Sequence, residues 1–520
     1  MADLLIKNGT IIDGTGQPRY QADLVIQGDR ITQIGDLATA EAKQTLDATG
    51  KVVAPGFVDV HNHSDAWLLK KANFTPKTSQ GFTTEVIMAD GISYAPVNEH
   101  TLPEWIHYLR ALNGLRFEDY RGWQSLADYM ALLDGTTAQN SITHIPYANV
   151  RSMACGFGRQ VPDDYQMRQI LSEIEKGMEE GAVGLSTGMD YIVQCFSSTD
   201  ELVEACRAMA PYQGLYVTHM RYKKGIMPAL QEAVEIGKRA GAPVHISHLK
   251  GTSPEVSDEI LSYIDQVARQ EVDFSFDVYP YLPGSTMLSY ILPYEVWEDG
   301  SLAATAKLTD PVIRAKVAAN LAGSGLEKMV LSWVASKENA HHQGKRLADY
   351  IDEMGLPPED AVCNLLIEEN LAVLMVAHHG DDALIEPFLS HDCYMMGSDG
   401  IYQEDGIVHP RHYGSAVRVL GPCVREKQWL SLEAAVRKLS GYPAERFGLK
   451  NRGRLETGKF ADVVIFDAAT VGDAATYTDP HQYANGIAHV VVNGTPIIED
   501  GVPADIKAGT LPGRALRFGQ

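Results

Sequence analysis

The 520-residue chain is predicted to be an α/β protein, a (β/α)8 TIM barrel with a small β-sandwich domain formed from both termini. Residues 3–53 alternate between apolar and polar side chains, with turn signals such as Asn8-Gly9 that predict hairpins. The same pattern returns at 462–466 and 489–494, near the other end of the chain. Between these segments, short apolar runs alternate with longer stretches of helical period, which is typical of βα units around a parallel sheet.

The central region contains eight candidate strands, the number that a closed barrel needs. They lie at 56–60, 84–88, 143–149, 182–186, 215–219, 243–248, 272–278 and 393–398. Amphipathic patterns at 166–180 and 226–239 predict two of the helices between them. An outsized segment, roughly 284–390, separates the last two strands and has strand-like runs near 329–335 and 371–377. We interpret it as an insertion over the barrel mouth plus part of the barrel wall.

These patterns divide the chain into a barrel and a smaller domain. Residues 1–54 and 451–520 are expected to form the two parts of the small β domain, and residues 55–450 the barrel. Within the barrel segment, the insertion is expected to cover roughly 284–350. The two ends of the chain would then meet in one sheet-rich unit.

Composition restricts the partners and the location of the protein. Lys and Arg number 44 against 67 Asp and Glu, a formal net charge of -23, and this field repels nucleic acids and anionic membranes. The six cysteines form no CxxC pair, and the first residues lack a signal-peptide pattern. The longest apolar run, 371–377, is too short to cross a bilayer. We therefore expect a cytoplasmic protein with a small-molecule partner, and leave homo-oligomer formation open.

Histidines and an aspartate close four of the predicted strands. His61 and His63 follow the first strand, and residues two apart on a strand share one face. His219 and His248 end the fifth and sixth strands, and Asp399 follows the eighth. An isolated His-x-His pair is more often incidental than functional, but side chains at four strand ends converge at the mouth of a barrel that closes. The set predicts a site for a divalent metal ion.

Three other histidines are not assigned to this set. His245 has the opposite strand parity and is expected to be a hydrogen-bonded wall residue. His378 and His379 fall in the insertion segment and are interpreted as structural.

The motif Pro-Gly-Phe-Val-Asp-Val-His-Asn-His at 55–63, the later His, His and Asp, and Gly-Lys-Phe-Ala-Asp-Val-Val at 458–464 are similar to motifs of the amidohydrolase superfamily. More narrowly, the chain resembles the N-acyl-D-amino-acid deacylases, or D-aminoacylases. That resemblance rests on the segments 184–191, 218–221, 246–250, 277–286 and 409–415. It implies metal-dependent hydrolysis of a linear amide, which releases a carboxylate and a free D-amino acid, with one or two Zn²⁺ ions.

The resemblance also implies a ligand set with one departure. Asp90 occupies the position at which that family has a metal-binding cysteine, and a carboxylate is a competent and harder ligand. Asp90 could instead be a turn residue before Gly91. We assign His219, His248 and Asp90 to the tighter ion. The second ion is assigned to His61, His63 and Asp399, with Asp90 bridging the two.

Further residues are assigned to catalysis and substrate binding. Asp399 is the expected general base, and its alternative is a ligand or a Ser-Asp-Gly turn. A substrate carboxylate needs a cationic clamp, for which Lys250 has the parity of His248. By motif, Tyr279, Ser285 and Arg411 are expected to contact the same carboxylate. Lys250 or Arg411 taken alone is more often a solvated surface charge.

Other activities are kept as alternatives. Hydrolases of cyclic amides, such as hydantoins or dihydroorotate, carry a modified lysine at the end of strand four, and the segment 184–188 has none. Related deaminases add a glutamate near the strand-five histidine, and 218–222 has none. Hydrolysis of a dipeptide with a D residue and a non-catalytic binding protein of this fold also remain open.

Overall fold

Parallel strands form the centre of the structure, a computed structural model that describes residues 1–506 and 511–520. They belong to a three-stranded and a six-stranded sheet in which all neighbours are parallel. All eight predicted strands overlap them, the third being split at His144. In chain order the strands are Phe57–Asp59, Phe82–Ile87, Asn140–Thr143, Ile145–Pro146, Gly184–Gly188, Leu215–His219, Val244–Ile246, Phe274–Asp277 and Tyr394–Met395.

Backbone hydrogen bonds join the two parallel sheets at both edges. The His144 N–H donates to the Ile87 carbonyl at 3.1 Å, so the split strand continues from one sheet into the other. At the opposite edge, the Asp399 N–H donates to the His61 carbonyl at 2.7 Å, and the His63 N–H donates to the Gly400 carbonyl at 3.1 Å. The last parallel strand therefore lies beside the first.

Helices connect the parallel strands and pack against their neighbours. The two predicted helices are confirmed as Asp164–Glu179 and Ile226–Ala240. Asp163 caps the first of them by accepting from the N–H groups of Tyr165 and Gln166, which have no partner inside the helix. Within the described residues, no helix is both long and apolar enough to cross a membrane.

The remaining α-helices are mostly short. They are Asp65–Lys70, Thr75–Thr78, Leu102–Leu109, Leu126–Ala131, Tyr147–Cys155, Thr199–Met209, Pro254–Tyr263, Arg269–Glu271, Ser301–Lys307, Pro311–Leu321, Leu347–Met354, Pro358–Glu368, Glu386–Ser390, Arg411–Arg418, Leu432–Leu439 and Gly441–Arg446.

Strands from both chain ends form one mixed sheet of nine strands. Val53 from the first part pairs with Ile465 from the second, and apolar residues of both parts share one core. The prediction of a hairpin at Asn8-Gly9 is wrong, because Asn8 takes a left-handed φ of 61° in a bulge of a continuous strand. The strands are Ala2–Ile11, Tyr20–Gln27, Arg30–Gly35, Ala42–Asp47, Val52–Pro55, Val463–Phe466, Ile487–Val492, Thr495–Glu499 and Val502–Pro503.

The insertion has an antiparallel sheet of its own. It consists of Gly284–Met287, Met329–Val334 and Val373–Ala377, with the last strand in the middle. Both strand-like runs predicted from the sequence are thus strands, but they pair with each other rather than with the parallel strands. The paired region also extends to Ala377, beyond the expected end near residue 350.

The end of the chain returns to the parallel strands. The Leu516 N–H donates to the Ser141 carbonyl at 2.7 Å, and the Phe518 N–H donates to the Gly181 carbonyl at 2.9 Å. Residues 507–510 of the predicted segment 451–520 lie outside the described residues.

A buried ion pair holds the first and last parallel strands together. The Lys77 ammonium lies 2.6 Å from the Asp59 carboxylate, and both side chains are fully buried. Asp59 also accepts from the backbone N–H of Ser398 at 2.9 Å and from its hydroxyl at 2.6 Å. Removal of either charge would leave the other buried without its partner, which is strongly unfavourable.

We predict that Lys77→Ala lowers the free energy of unfolding by about 3–5 kcal/mol, because Asp59 would keep a buried, uncompensated charge. Urea denaturation of the full chain measures this. Lys176→Ala is the control, since its side chain is 49% exposed, and it should change the value by less than about 0.5 kcal/mol. Equal effects of the two variants would contradict the structural role of the ion pair.

Candidate metal centre

The structure brings all six predicted ligands together. Two overlapping groups each have ligand atoms within 4.8 Å of one another. The first consists of His61, His63 and Asp399, and the second of His61, Asp90 and His248. His61 is thus common to both groups, whereas the sequence assignment gave it to the second ion alone.

Asp90 and His219 complete the cluster. The Asp90 carboxylate lies 3.5 Å from His61 Nε2, 3.7 Å from His63 Nε2 and 4.0 Å from His219 Nδ1. His219 Nδ1 lies 3.0 Å from His248 Nε2. Asp90 therefore faces both groups, although it also lies in the turn Ala89–Gly91, before Gly91.

Left-handed backbone conformations direct three of these side chains. Asp90, His248 and Asp399 have φ values of 57°, 41° and 48°, which non-glycine residues rarely adopt. The turn that carries Asp90 also packs closely on the end of strand Gly184–Gly188, where a Cβ at Gly188 would lie 2.4 Å from the Asp90 carbonyl oxygen. This strand end is therefore restricted to glycine by packing.

The electrostatics of the cluster favour a cation. Burial acts to lower the pKa of His61, but Asp277, Asp90 and Asp399 outweigh it and raise this pKa well above its usual value. Burial and the neighbouring His219 lower the pKa of His248 to about 3, so its imidazole is neutral at pH 7. The neutral imidazole of His248 offers a lone pair to a metal ion. The carboxylates around His61, which favour a proton on its ring, would also attract a metal cation.

Buried polar atoms that lack hydrogen-bond partners also indicate a cation site. Within residues 1–506 and 511–520, Nε2 of His61 and Oδ1 of Asp90, which lie 3.5 Å apart in the cluster, are buried without a hydrogen-bond partner. Buried polar atoms seldom lack partners, and nitrogen and carboxylate oxygen donors together suit a zinc-like divalent ion. The residues present therefore fit one or two divalent ions.

Two aspartates that the sequence reasoning did not assign orient the ligands. Asp277 lies 3.4 Å from His61 Nδ1 and accepts from the His248 backbone N–H at 2.9 Å. Asp190 lies 3.4 Å from His219 Nε2. Asp277 closes its strand as the predicted ligands do, so the same signal could have identified it.

The predicted substrate-binding residues lie beside the cluster. The Lys250 ammonium donates to the Tyr279 hydroxyl and to the Leu282 carbonyl, each at 2.7 Å. Burial and, less strongly, Arg411 lower the pKa of Lys250 to about 7. The Ser285 hydroxyl donates to the Met375 carbonyl at 2.9 Å.

Arg411 is placed differently from the expectation. Its guanidinium is fully buried, lies 2.8 Å from the Asp399 carboxylate and donates to the Ser285 carbonyl at 2.9 Å. It also stacks 4.4 Å above the Tyr279 ring. These contacts favour a role in holding Asp399 over direct contact with a substrate.

A cavity of about 820 Å³ opens over the cluster. Its polar lining includes His63, Asp90, His219, His248, Lys250, Tyr279, Ser285 and Asp399. Its apolar lining includes Leu112, Ile226, Ile291, Met329, Met375 and Ala377, several of which belong to the insertion. The volume and the mixed lining are those of a site for a small molecule.

The three unassigned histidines have different positions, and the His378 ring packs 4.9 Å from the Tyr477 ring. His245 is buried and bonds to Ser275 at 2.8 Å and to Asp277 at 2.9 Å, as expected of a wall residue. His379, interpreted as structural, lines the cavity, and the sequence reasoning missed this because the residue lies in the insertion.

Comparison with known proteins identifies the family of the chain. Residues 44–353 and 391–498 match the profile of the amidohydrolase family, which is most of the chain. The chain therefore belongs to the amidohydrolase family.

Several of the similar proteins are deacylases. The chain is 36% identical to a D-aminoacylase of Alcaligenes xylosoxydans xylosoxydans, with 98% of each covered. An N-acyl-D-glutamate deacylase from Bordetella bronchiseptica, solved with zinc and a phosphonate mimic of the tetrahedral intermediate, is 30% identical with a TM-score of 0.84 and 99% of each chain covered. A solved D-aminoacylase with a binuclear metal centre is 32% identical, with a TM-score of 0.83 and coverage of 99% of this chain and 100% of that chain.

We predict that Asp90→Ala lowers the amount of bound zinc, because the two groups of ligands lose the carboxylate that faces both. Metal analysis of purified protein after dialysis measures this. Asp128→Ala, which removes a carboxylate from a surface helix cap, is the control and should retain the wild-type metal content. Full metal retention in Asp90→Ala would assign Asp90 to a turn role instead.

Proposed function

We propose that the protein is a metal-dependent amidohydrolase that hydrolyses N-acyl-D-amino acids to a carboxylate and a free D-amino acid. The observation that carries the proposal is the position of Lys250 and Tyr279 in the same cavity as five of the six proposed ligand side chains, all except His61. This cavity combines the proposed metal ligands, which would support hydrolysis, with the Lys250 ammonium, which would bind the substrate carboxylate. The D-amino acid class is supported by the activities named for the deacylase relatives.

The six clustered residues would hold the metal. His61, His63, Asp90, His219, His248 and Asp399 are the proposed ligands. A divalent ion bound there would lower the pKa of water from about 15.7 to about 7 and polarise the amide carbonyl. The proposed general base and the proposed anchor of the substrate carboxylate are side chains of the protein.

Asp399 is the proposed general base. Burial acts to raise its pKa, but Arg411 and His61 outweigh burial and lower this pKa well below the usual value, so the carboxylate is ionised at neutral pH. It would accept the proton of the attacking water and deliver it to the amide nitrogen as the C–N bond breaks. Arg411 fixes its orientation through the contact of 2.8 Å.

Lys250 is the proposed anchor of the substrate carboxylate. An anionic partner favours the protonated form of a buried lysine, so substrate binding would strengthen the charge that binds it. The hydroxyls of Tyr279 and Ser285 are proposed to donate to the same carboxylate. The guanidinium of Arg411 contributes to the positive field from behind Tyr279.

The architecture that holds this site is part of the proposal. We interpret the two linked parallel sheets as a closed (β/α)8 barrel, and the nine-stranded terminal sheet as a sandwich over its own core. Residues 1–54 and 451–520 would form the small domain, and residues 55–450 the barrel. Through the backbone contacts of Leu516 and Phe518, the end of this small-domain segment would lie against the barrel.

The setting of the protein is also proposed. All six cysteines are free and buried, which supports a reducing, cytoplasmic compartment. The net charge of -23 supports a small-molecule partner over nucleic acids or anionic membranes.

We predict that the zinc-loaded protein releases free amino acid from N-acetyl-D-amino acids and not from their L enantiomers. N-acetyl-D- and L-amino acids and a D-residue dipeptide are assayed by amine release. A hydantoin and dihydroorotate, whose ring opening releases no amine, are assayed by chromatographic loss of the cyclic substrate. Preferential turnover of a cyclic amide or a dipeptide would contradict the proposed substrate. Binding without turnover in the whole panel would favour a non-catalytic protein.

Asp399→Asn is predicted to reduce kcat by about two to four orders of magnitude, because the amide cannot accept the proton of the attacking water. Because Asp399 is also a proposed ligand, bound metal is measured in the same preparation and kcat is expressed per equivalent of bound metal. An unchanged kcat would eliminate Asp399 as the base.

A further inference from the structure

We infer that Asp190 is a positioning residue that couples the packing of the insertion against Asp190, here called seating, to the affinity of His219 for metal. Asp190 lies outside the six proposed ligands, two residues after strand Gly184–Gly188. The inference depends on the proposed function only in that His219 is taken as a metal ligand.

The contact between Asp190 and His219 selects one form of the imidazole. Asp190 Oδ2 lies 3.4 Å from His219 Nε2, and the Asp190 side chain is fully buried. The other ring nitrogen, Nδ1, faces His248 and Asp90. A carboxylate acceptor keeps the proton on Nε2, which leaves the lone pair on Nδ1 directed at the ligand cluster.

Two tyrosines of the insertion hold the same carboxylate. The Tyr290 hydroxyl donates to Asp190 Oδ2 at 3.0 Å, and the Tyr294 hydroxyl donates to Oδ1 at 2.8 Å. The Lys223 ammonium lies 4.5 Å and 4.8 Å from the centres of their rings and so packs the tyrosines together. Asp190 is thus shared between a barrel histidine and the insertion, and it can satisfy both only when the insertion is seated.

Coupling of this kind must act in both directions. Without the two hydroxyls, the Asp190 carboxylate would keep only His219 and the longer contacts from the Lys223 backbone N–H, at 3.3 and 3.4 Å. Its orientation toward His219 would then be less fixed, and loss of such an outer partner weakens metal binding about tenfold or more. By thermodynamic linkage, bound metal must favour the seated insertion by the same factor. A purely structural role for Asp190 would produce neither effect.

The first test is the metal affinity of the double variant Tyr290→Phe/Tyr294→Phe, which removes both hydroxyls and keeps both rings. Competition with a chromophoric chelator should show that Zn²⁺ binds about tenfold more weakly than in the wild type. Tyr350→Phe is the matched control, because Tyr350 is a buried tyrosine of the insertion that packs against His342 at 4.9 Å. It should leave the dissociation constant unchanged.

A second variant separates loss of the Asp190 contact from misfolding of the protein. Asp190→Asn keeps the size of the side chain but removes its charge, and should weaken Zn²⁺ binding at least as much as the double variant. An unchanged dissociation constant in either variant, with the wild-type circular dichroism spectrum, would overturn the inference.

The reciprocal effect is measured by hydrogen exchange of the segment 288–297 in the full chain. Zn²⁺ should protect this segment in the wild type, and the protection should be largely lost in the double variant. Equal exchange with and without Zn²⁺ in the wild type would overturn the inference. Neither measurement uses turnover, so a failure to hydrolyse N-acyl-D-amino acids would refute the proposed function without affecting these results.

Discussion

The backbone hydrogen bond from Asp399 to the His61 carbonyl joins the last parallel strand to the first, and the arrangement of the ligands depends on it. The neighbouring contact between Ser398 and Asp59 connects residues 339 positions apart in sequence. Lys77 neutralises Asp59 beneath this junction, in a position closed to water. Because the ligands lie directly beyond these contacts, an error in strand pairing would separate the two groups of ligands that share His61.

The same region concentrates negative charge that only a cation balances. Asp90, Asp277 and Asp399 all face His61 within 3.7 Å, and Arg411 pairs with Asp399 alone. Buried carboxylates that lack enough cationic partners destabilise a fold, so this arrangement is selected for binding rather than for stability. The lysine that would bind substrate lies at the edge of this charge, where an anionic group can reach both Lys250 and the cluster.

Local patterns were sufficient to predict the parallel strands and the clustering of side chains at their ends. His61, His219 and Asp399 could be predicted because a parallel strand presents its last side chains at one edge of the sheet, wherever it lies in the chain. The contact between Arg411 and Asp399 could not be predicted, since strand parity does not determine which carboxylate a long side chain reaches. Asp190 was missed for a related reason, because its tyrosine partners come from the insertion, whose antiparallel pairing has no sequence signal that distinguishes it from barrel wall.

The terminal sheet has a consequence for how the chain is made. Arg30 bonds to the carbonyl of Gly458, a residue 428 positions later, and Val53 pairs with Ile465. On the ribosome, the first five strands therefore emerge long before the strands that complete their sheet, and their apolar faces and free edges stay uncovered throughout synthesis of the central region. Translation speed and chaperone supply are thus expected to govern the yield of folded protein more than the stability of the finished molecule does.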